Sequence, residues 1–349
     1  MIDAEMNRTR GRLRHPVHAR GNTWALVLAA GEGTRLRTLT TTKEGFSVPK
    51  QFCSLCGGAS LLEDTLSRAS AVATRSHIMT IVAAEHRRWW EAPLWTLPAE
   101  NVVVQPQNKG TATGLLLPLL HILERDANAI VVVLPSDHLV CDESVLAQSL
   151  QQATQLARVD DRWVHLLGAE PVRVDAELGY IVPKQLDAKA AAPVHRFVEK
   201  PEAHQARELI RAGALFNMFI MVSTARTLLA LYARRHADLV AQLTPAVYED
   251  RHSPLDSFAA EHLYPTLKTL DFSRDVLQGQ EAMLRVLKVP DCGWSDLGTP
   301  ARVAEALTRH DIRGPRVVAI SETTHLNLAE QHFLYRDSLA STPPLSCPA

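Results

Sequence analysis

The sequence has little that would point to an extracellular scaffold, a membrane protein or a binder of nucleic acid. Its 349 residues hold only five cysteines, Cys53, Cys56, Cys141, Cys292 and Cys347. An odd, scattered set of this kind fits a reducing cytoplasm better than a disulfide framework. Cys53 and Cys56 make a lone CxxC with no second pair and no histidine pair at finger spacing. That leaves a zinc or redox role open beside the alternative of two packed thiols. No stretch approaches the ~20 apolar residues of a membrane span, and no apolar run longer than Trp24 to Ala30 follows the first arginines, so neither a membrane partner nor a secretory leader is expected. No internal repeat is visible, and the last part of the chain lacks the hexapeptide period of a β-helix. Charge of one sign is also missing. The formal net charge is −1, from 37 Lys+Arg against 38 Asp+Glu, which gives no whole-surface field for nucleic acid or an anionic membrane. If the protein handles a polyanion, its positive charge must be gathered in one site.

With 46% apolar and 21% charged residues, the composition is that of an ordinary globular chain, long enough for two domains or one large one. Residues 1–22 carry Arg8, Arg10, Arg12, Arg14 and Arg20 against Asp3 and Glu5. They read as a flexible basic head, with a nucleic-acid or membrane arm as the alternative. The first ordered element is an apolar run, Trp24 to Ala29, ending in glycines. Strands are then expected at Ile78 to Ala83, Val102 to Val104, Ile130 to Leu134 and Val164 to Leu167. Helices are expected at Thr111 to Leu123 and Val145 to Leu156. Strands alternating with helices of this length argue for βαβ units. The fold class is α/β: a doubly wound, mostly parallel sheet. Short extended runs, Tyr180 to Val182 and Val194 to Val198, suggest a small antiparallel insertion over one edge. Helical spacing returns at Ala203 to Ala212 and across Thr224 to Leu243, where apolar faces could serve a homodimer. Ala282 to Val289 reads as a further strand. The main domain is placed at 23–310, followed by a short tail, 311–349, that is loose at Ser341 to Pro344 and has no β-helix.

The segment LAAGEGTRL, Leu28 to Leu36, follows the first predicted strand directly. Gly31 and Gly33 let backbone amides approach a ligand and cradle phosphate oxygens. The third glycine of a dinucleotide fingerprint is Leu36 here, and no Lys-Ser/Thr pair makes a Walker loop. Glycine-rich turns also arise for purely geometric reasons, but a turn needs no guanidinium, and Arg35 and Arg37 stand beside this one. Pro49-Lys50-Gln51-Phe52 offers a lysine that either projects into the same crevice or is solvated at the surface. In Leu134-Pro135-Ser136-Asp137-His138, Asp137 stands at the carboxyl end of a central strand, where open α/β sheets bind ligands. Such a carboxylate suits Mg²⁺; the alternative is a helix cap. His138 reads as a loop or packing residue. Phe197-Val198-Glu199-Lys200-Pro201 ends an alternating strand, and Gly293 to Thr299 brackets Asp296 with glycines.

In this order and at these separations, LAAGEGTRL, PKQF, LPSDH, LGY, FVEKP and GWSDLGT resemble the sugar-1-phosphate nucleotidyltransferases, and most of all the mannose-1-phosphate guanylyltransferases. The likeness covers roughly residues 24–305. It implies a nucleotide-diphospho-sugar transferase fold, with a nucleotide-binding half over 23–160 and a sugar-binding half over 161–310. The implied activity joins a nucleoside triphosphate, GTP by the closest resemblance, to a sugar 1-phosphate with release of pyrophosphate, in the cytoplasm, with Mg²⁺ as cofactor. Catalytic roles fall on Arg35, Lys50 and Lys200. Leu28, Ala30, Gly31, Gly33, Thr34, Gln105, Gly110 and Thr111 would bind the nucleotide, and Gly179, Glu199 and Asn217 the sugar. Asp137 and Asp296 would hold the metal. The positive charges Arg35, Lys50, Lys109 and Lys200 are expected to converge on one crevice.

The sequence departs from the family in places. Gln105 stands where an acid often accepts from the guanine edge, and Lys109 and Gly110 replace Arg and Asn. Met218 and Phe219 follow Asn217 where smaller residues are usual, which would reshape the sugar pocket. The segment Thr40 to Val48 is long, and is either a flap over the triphosphate or a surface insertion. Another base or hexose phosphate, and a non-catalytic homologue that binds nucleotide sugar, remain as alternatives. A dinucleotide-dependent oxidoreductase lacks its third glycine and its ribose-binding acid.

Overall fold

The computed structural model describes residues 22–42, 45–54, 58–185, 190–250, 258–309 and 318–319. Most of the basic head, Cys56, Cys347 and nearly all of the tail lie outside the described residues. The strands are β1 (Thr23–Ala29), β2 (Cys53–Ser54), β3 (Ile78–Ala83), β4 (Val102–Gln105), β5 (Ile130–Pro135), β6 (Val164–Ala169), β7 (Gly179–Pro183), β8 (Ala192–Glu199), β9 (Leu215–Thr224), β10 (Leu284–Lys288) and β11 (Val318–Ala319). The helices of the first half are α1 (Arg37–Thr40), α2 (Leu61–Ser70), α3 (Arg87–Leu94), α4 (Gly110–Arg125) and α5 (Glu143–Val159). Those of the second half are α6 (Ala203–Arg211), α7 (Ala225–Arg235), α8 (Ala237–Asp250), α9 (Phe258–Leu263) and α10 (Pro300–Arg309).

Nine strands form one sheet in the order β4-β3-β1-β5-β9-β6-β10-β8-β7, with β7 also pairing with β9. Along β1, Trp24 and Leu26 enter one apolar cluster, with α4, α7 and α8, while Ala25, Val27 and Ala29 enter another, with α2, α3 and α5. The period of two along a strand thus feeds a helical layer on each face, which is the α/β layering expected. The ladders from β4 to β5 are parallel, as is that between β6 and β10. The sheet is more mixed than the sequence suggests, because β9 runs antiparallel between β5 and β6. Its sequence, LFNMFIMVST, is apolar at seven of its ten positions. A strand buried on both faces shows no alternation to mark it, so it escaped the sequence reading. The antiparallel runs expected at one edge are β7 and β8, which extend the sheet beyond β10, but the antiparallel part also reaches the centre through β9.

The helical signal after Thr224 divides into α7 and α8, and α7 starts where the Thr224 hydroxyl accepts from the Thr227 amide at 3.2 Å. Leu228, Leu231, Tyr232, Leu239 and Leu243 from these two helices are spent on the protein's own core. They are not available as the dimer surface anticipated for them. At the ends of the Thr40–Val48 segment, Thr41 is bridged antiparallel to Ser47. Farther along, β11 pairs with β2, bringing Val318 beside Ser54, so one piece of the expected short tail joins a ladder, while Ser341 to Pro344 lie outside the described residues. Among the described residues no helix is long and apolar enough to cross a membrane.

His165 on β6 is 3% exposed, and neither of its ring nitrogens has a hydrogen-bond partner. Burial, with Arg285 nearby, drops its pKa from 6.5 to about 4. The unfolded chain therefore binds a proton that the folded one refuses. Stability from this site is full above pH 6.5 and is lost as pH falls towards 4. In His165→Leu the thermal midpoint should fall less than in wild type over that window. Parallel melting curves across it check this, and identical slopes would refute it.

Candidate active site

The loop after β1 is held open by its neighbours rather than by its own bonds. Gly33 has φ +61°, and a Cβ there would lie 2.9 Å from the Lys50 amide nitrogen. Only glycine lets the loop lie so close to the turn that carries Lys50. The buried Gln51 amide reaches back, donating to the carbonyls of Ala29 at 2.9 Å and Gly31 at 2.8 Å. No neighbour within 4 Å would meet a Cβ on Gly31, so that glycine faces open space.

Lys50 is not a surface lysine: its side chain is 8% exposed. The Nζ lies 3.0 Å from Asp137 Oδ2 and donates to the Asp296 carbonyl at 2.6 Å. One ammonium therefore joins the loop after β5 to the loop after β10. The backbone staples the same two loops, since Leu139 and Ser295 exchange bonds of 2.9 and 3.0 Å. Asp137 does not cap the following helix; Asp142 does, accepting from the amides of Ser144 and Val145. Burial works against the Asp137 carboxylate, but Lys50, with His138 behind it, holds it below the usual range. His138 packs edge-on to Trp294, whose indole N–H donates to His138 Nδ1 at 3.2 Å. Burial lowers the His138 pKa. The Asp296 carboxylate pairs with Arg302, whose Nε lies 3.3 Å from Asp175 Oδ2.

Across the cleft, β7 and β8 pair so that Gly179 faces Glu199. A Cβ on Gly179 would meet Glu199 Oε2 at 2.5 Å and Asn217 Cβ at 3.3 Å. The glycine is thus the space into which both polar side chains reach. Burial, with Asp271 adding to it, pushes the Glu199 carboxyl up to about 7. Among the described residues, Lys200, Phe219 and Leu297 are the non-glycine residues with positive φ, at 47°, 56° and 48°. Such geometry is uncommon for side-chain-bearing residues and clusters at functional sites. Each of the three lies within two residues of an expected site residue: Glu199, Asn217 or Asp296. Phe219 lines the cleft, edge-on to Phe272, whereas Met218 is buried away from it. Only one of the two bulky departures reaches the pocket.

Gln105 ends β4 at 2% exposure, and its Oε1 has no hydrogen-bond partner. Gly110 opens α4 with φ +80°, where a Cβ would strike the Leu270 carbonyl. The Thr111 hydroxyl accepts from the Phe272 amide at 2.8 Å. These residues line a cleft of about 450 Å³, together with Leu28, Ala30, Gly31, Arg35, Asp137, Gly179, Glu199, Lys200, Asn217 and Asp296. Of the expected site residues, Gly33, Thr34 and Lys50 are not part of this lining. Lys109 does not converge on it; its ammonium turns outward to the Pro265 carbonyl. Arg35 is paired across the cleft with Glu177 at 2.9 Å. Sequence reasoning missed Glu177, Asp175, Asp271 and Arg302. Asp175 and Glu177 lie within a few residues of the LGY motif, but nothing in the sequence marks Arg302.

Among the described residues no three His, Cys, Asp or Glu side chains group to hold a metal by themselves. The donor set nonetheless fits Mg²⁺, which takes one or two carboxylates and completes its shell with substrate phosphates and water. Asp137 is 40% exposed to the cleft and is held ionised, and Asp296 lines the same wall.

The model of the nucleotidyl transferase family matches residues 24–311. The xanthan biosynthesis protein XanB of Xanthomonas campestris is 26% identical over 287 residues, 78% of this chain and 57% of its own length. A mannose-1-phosphate guanylyltransferase of Klebsiella pneumoniae is 26% identical over 317 residues, 88% of this chain and 65% of that one. The chain thus spans a little over half the length of these curated relatives. Among solved structures, one titled mannose-1-phosphate geranyltransferase from Thermus thermophilus superposes with a TM-score of 0.67 at 25% identity, covering 82% of this chain and 79% of that one. With the match extending from β1 through the loop that carries Asp296 to the end of α10, the chain belongs to the nucleotidyl transferase family.

Proposed function

We propose that this chain transfers a nucleotidyl group from a nucleoside triphosphate to a sugar 1-phosphate, releasing pyrophosphate, with GTP and mannose 1-phosphate as substrates. The observation that carries the reading is the buried Lys50 ammonium between the Asp137 carboxylate and the Asp296 carbonyl, beneath a cleft lined by Arg35 and Lys200. Two polyanions must meet for this reaction, and such a floor supplies charge where they meet. A phosphate monoester dianion is already a competent nucleophile, so the site needs positioning and neutralisation more than a general base.

The Gly31–Gly33 loop offers amides to the triphosphate, and Arg35 takes the leaving pyrophosphate in exchange for Glu177. Lys50 neutralises charge at the α-phosphate, and Lys200 does so at the sugar phosphate. Gly179 leaves room for Glu199 and Asn217 to bond the sugar hydroxyls. Asp137 and Asp296 would hold Mg²⁺, which when bound supplies further neutralisation of phosphate charge. The unpartnered acceptor Gln105 Oε1 favours a base with a donor edge, such as guanine. The names of the Klebsiella and Salmonella relatives favour mannose 1-phosphate.

Pyrophosphate release, measured with Mg²⁺ across four nucleotides and several hexose 1-phosphates, tests this. Turnover should be fastest with GTP and mannose 1-phosphate. Turnover only with UTP and glucose 1-phosphate would sink the substrate assignment, and none with any pair would favour a nucleotide-sugar-binding homologue. Asp137→Asn and Asp296→Asn should each lower turnover by about 100-fold or more, the scale of losing a preorganised charge in such a site. Near-normal rates at limiting Mg²⁺ would refute the metal roles.

Glu199 adds a pH signature. Its carboxyl ionises near 7, and only the ionised form presents acceptors on both oxygens without a competing proton. The KM for sugar phosphate should therefore fall as pH rises through about 7 in the wild type, relative to Glu199→Gln. Superimposable KM profiles for the two proteins would exclude the role.

A further inference from the structure

Arg302 lies outside the cleft lining, on the first turn of α10, with its side chain 5% exposed. Its Nη1 pairs with Asp296 Oδ2, and its Nε lies 3.3 Å from Asp175 Oδ2. Asp175 is itself fixed. Its Oδ1 accepts from the Glu177 amide at 3.0 Å, and its backbone carbonyl accepts from the buried Tyr180 hydroxyl at 2.9 Å. Gly298 makes room for the arrangement, because a Cβ there would run into Asp296 Oδ2 and lie 3.0 Å from Arg302 Nη1. A hollow of about 280 Å³ on the far side shares Trp294 and Asp296 with the cleft, so without Arg302 the Asp296 side chain has space to turn away.

We propose that Arg302 is a positioning residue for the metal-binding carboxylate: it locks Asp296 Oδ2 and leaves Oδ1 as the oxygen open to a divalent cation. The inference rests on the reading of Asp296 as a metal ligand. A buried guanidinium between two carboxylates is held by both, and its rigid fork fixes the Asp296 rotamer, which a lysine's single point charge cannot do while also reaching Asp175. Outer contacts of this kind commonly set metal affinity by tenfold or more.

The test compares wild type, Arg302→Lys and Asp175→Asn by thermal melting and by Mn²⁺ binding. Binding is read from water-proton relaxation enhancement in the presence of an α,β-methylene nucleoside triphosphate. Arg302→Lys should bind Mn²⁺ about tenfold more weakly, and Asp175→Asn should weaken it by a smaller factor. Excess Mg²⁺ should restore turnover, with the KM for sugar phosphate unchanged, a rescue that a general loss of structure would not show. If Arg302→Lys does not fold, Asp175→Asn carries the comparison. Equal Mn²⁺ affinity in wild type and the folded variants overturns the role of Arg302. Absence of any Mn²⁺ enhancement with wild type instead overturns the metal reading on which it rests.

Discussion

The Lys50 ammonium is the contact on which the rest of the site depends. It comes from the turn behind the glycine loop, and it ends between a carboxylate after β5 and a carbonyl after β10. Three chain segments far apart in sequence therefore share one buried charge. Burying a lysine is costly unless it is paired and hydrogen-bonded, and here it is both. The cost explains the geometry around it: Gly33 must be glycine to let Lys50 approach, and Gln51 must hold the loop from beneath. Replacing the Asp137 carboxylate with a neutral group would leave the buried Lys50 ammonium without its counter-charge.

The sheet explains why those segments meet at all. Parallel strands β1 and β5 deliver their following loops to one edge, the usual place for ligands in open α/β sheets. The antiparallel β9 then lets Asn217 reach the same region, from a strand that lies between β5 and β6. A sheet parallel throughout would have put the loops at β9's two ends the other way round. The mixed topology is thus what brings the residues expected to bind sugar opposite those expected to bind nucleotide.

Much of this was legible from residue types. Short apolar strands ending in glycine or in Asp137, and six motifs in order, were enough to gather half of the cleft lining. The failures have physical causes. β9 is apolar on both faces and so carries no period. Lys109 lies on the strand side of α4's glycine start, and the φ of +80° at Gly110 sends the chain another way. Arg302 meets Asp175 across more than 100 positions of sequence, and a buried guanidinium in a helix looks, in sequence, like any exposed arginine on an amphipathic face.

The near-zero net charge acquires a local meaning from these pairings. Each cation at the cleft has a carboxylate beside it, but the pairs differ in what it takes to open them. Arg35 and Glu177 are both about half exposed, and an exposed ion pair is worth only about 0–1 kcal/mol. An arriving phosphate can therefore take Arg35 at little cost. Lys50 and Asp137 form a pair whose lysine is sealed from solvent, so this pair persists as a fixed floor. Lys200 is the third case. Its neighbour Glu199 is pushed up to about 7, so near neutral pH that carboxyl is only partly ionised and compensates the ammonium incompletely. The cleft thus holds one exchangeable cation, one permanent cation and one partly uncompensated cation. That division suits the proposed reaction, in which one anion leaves, one is attacked and one attacks.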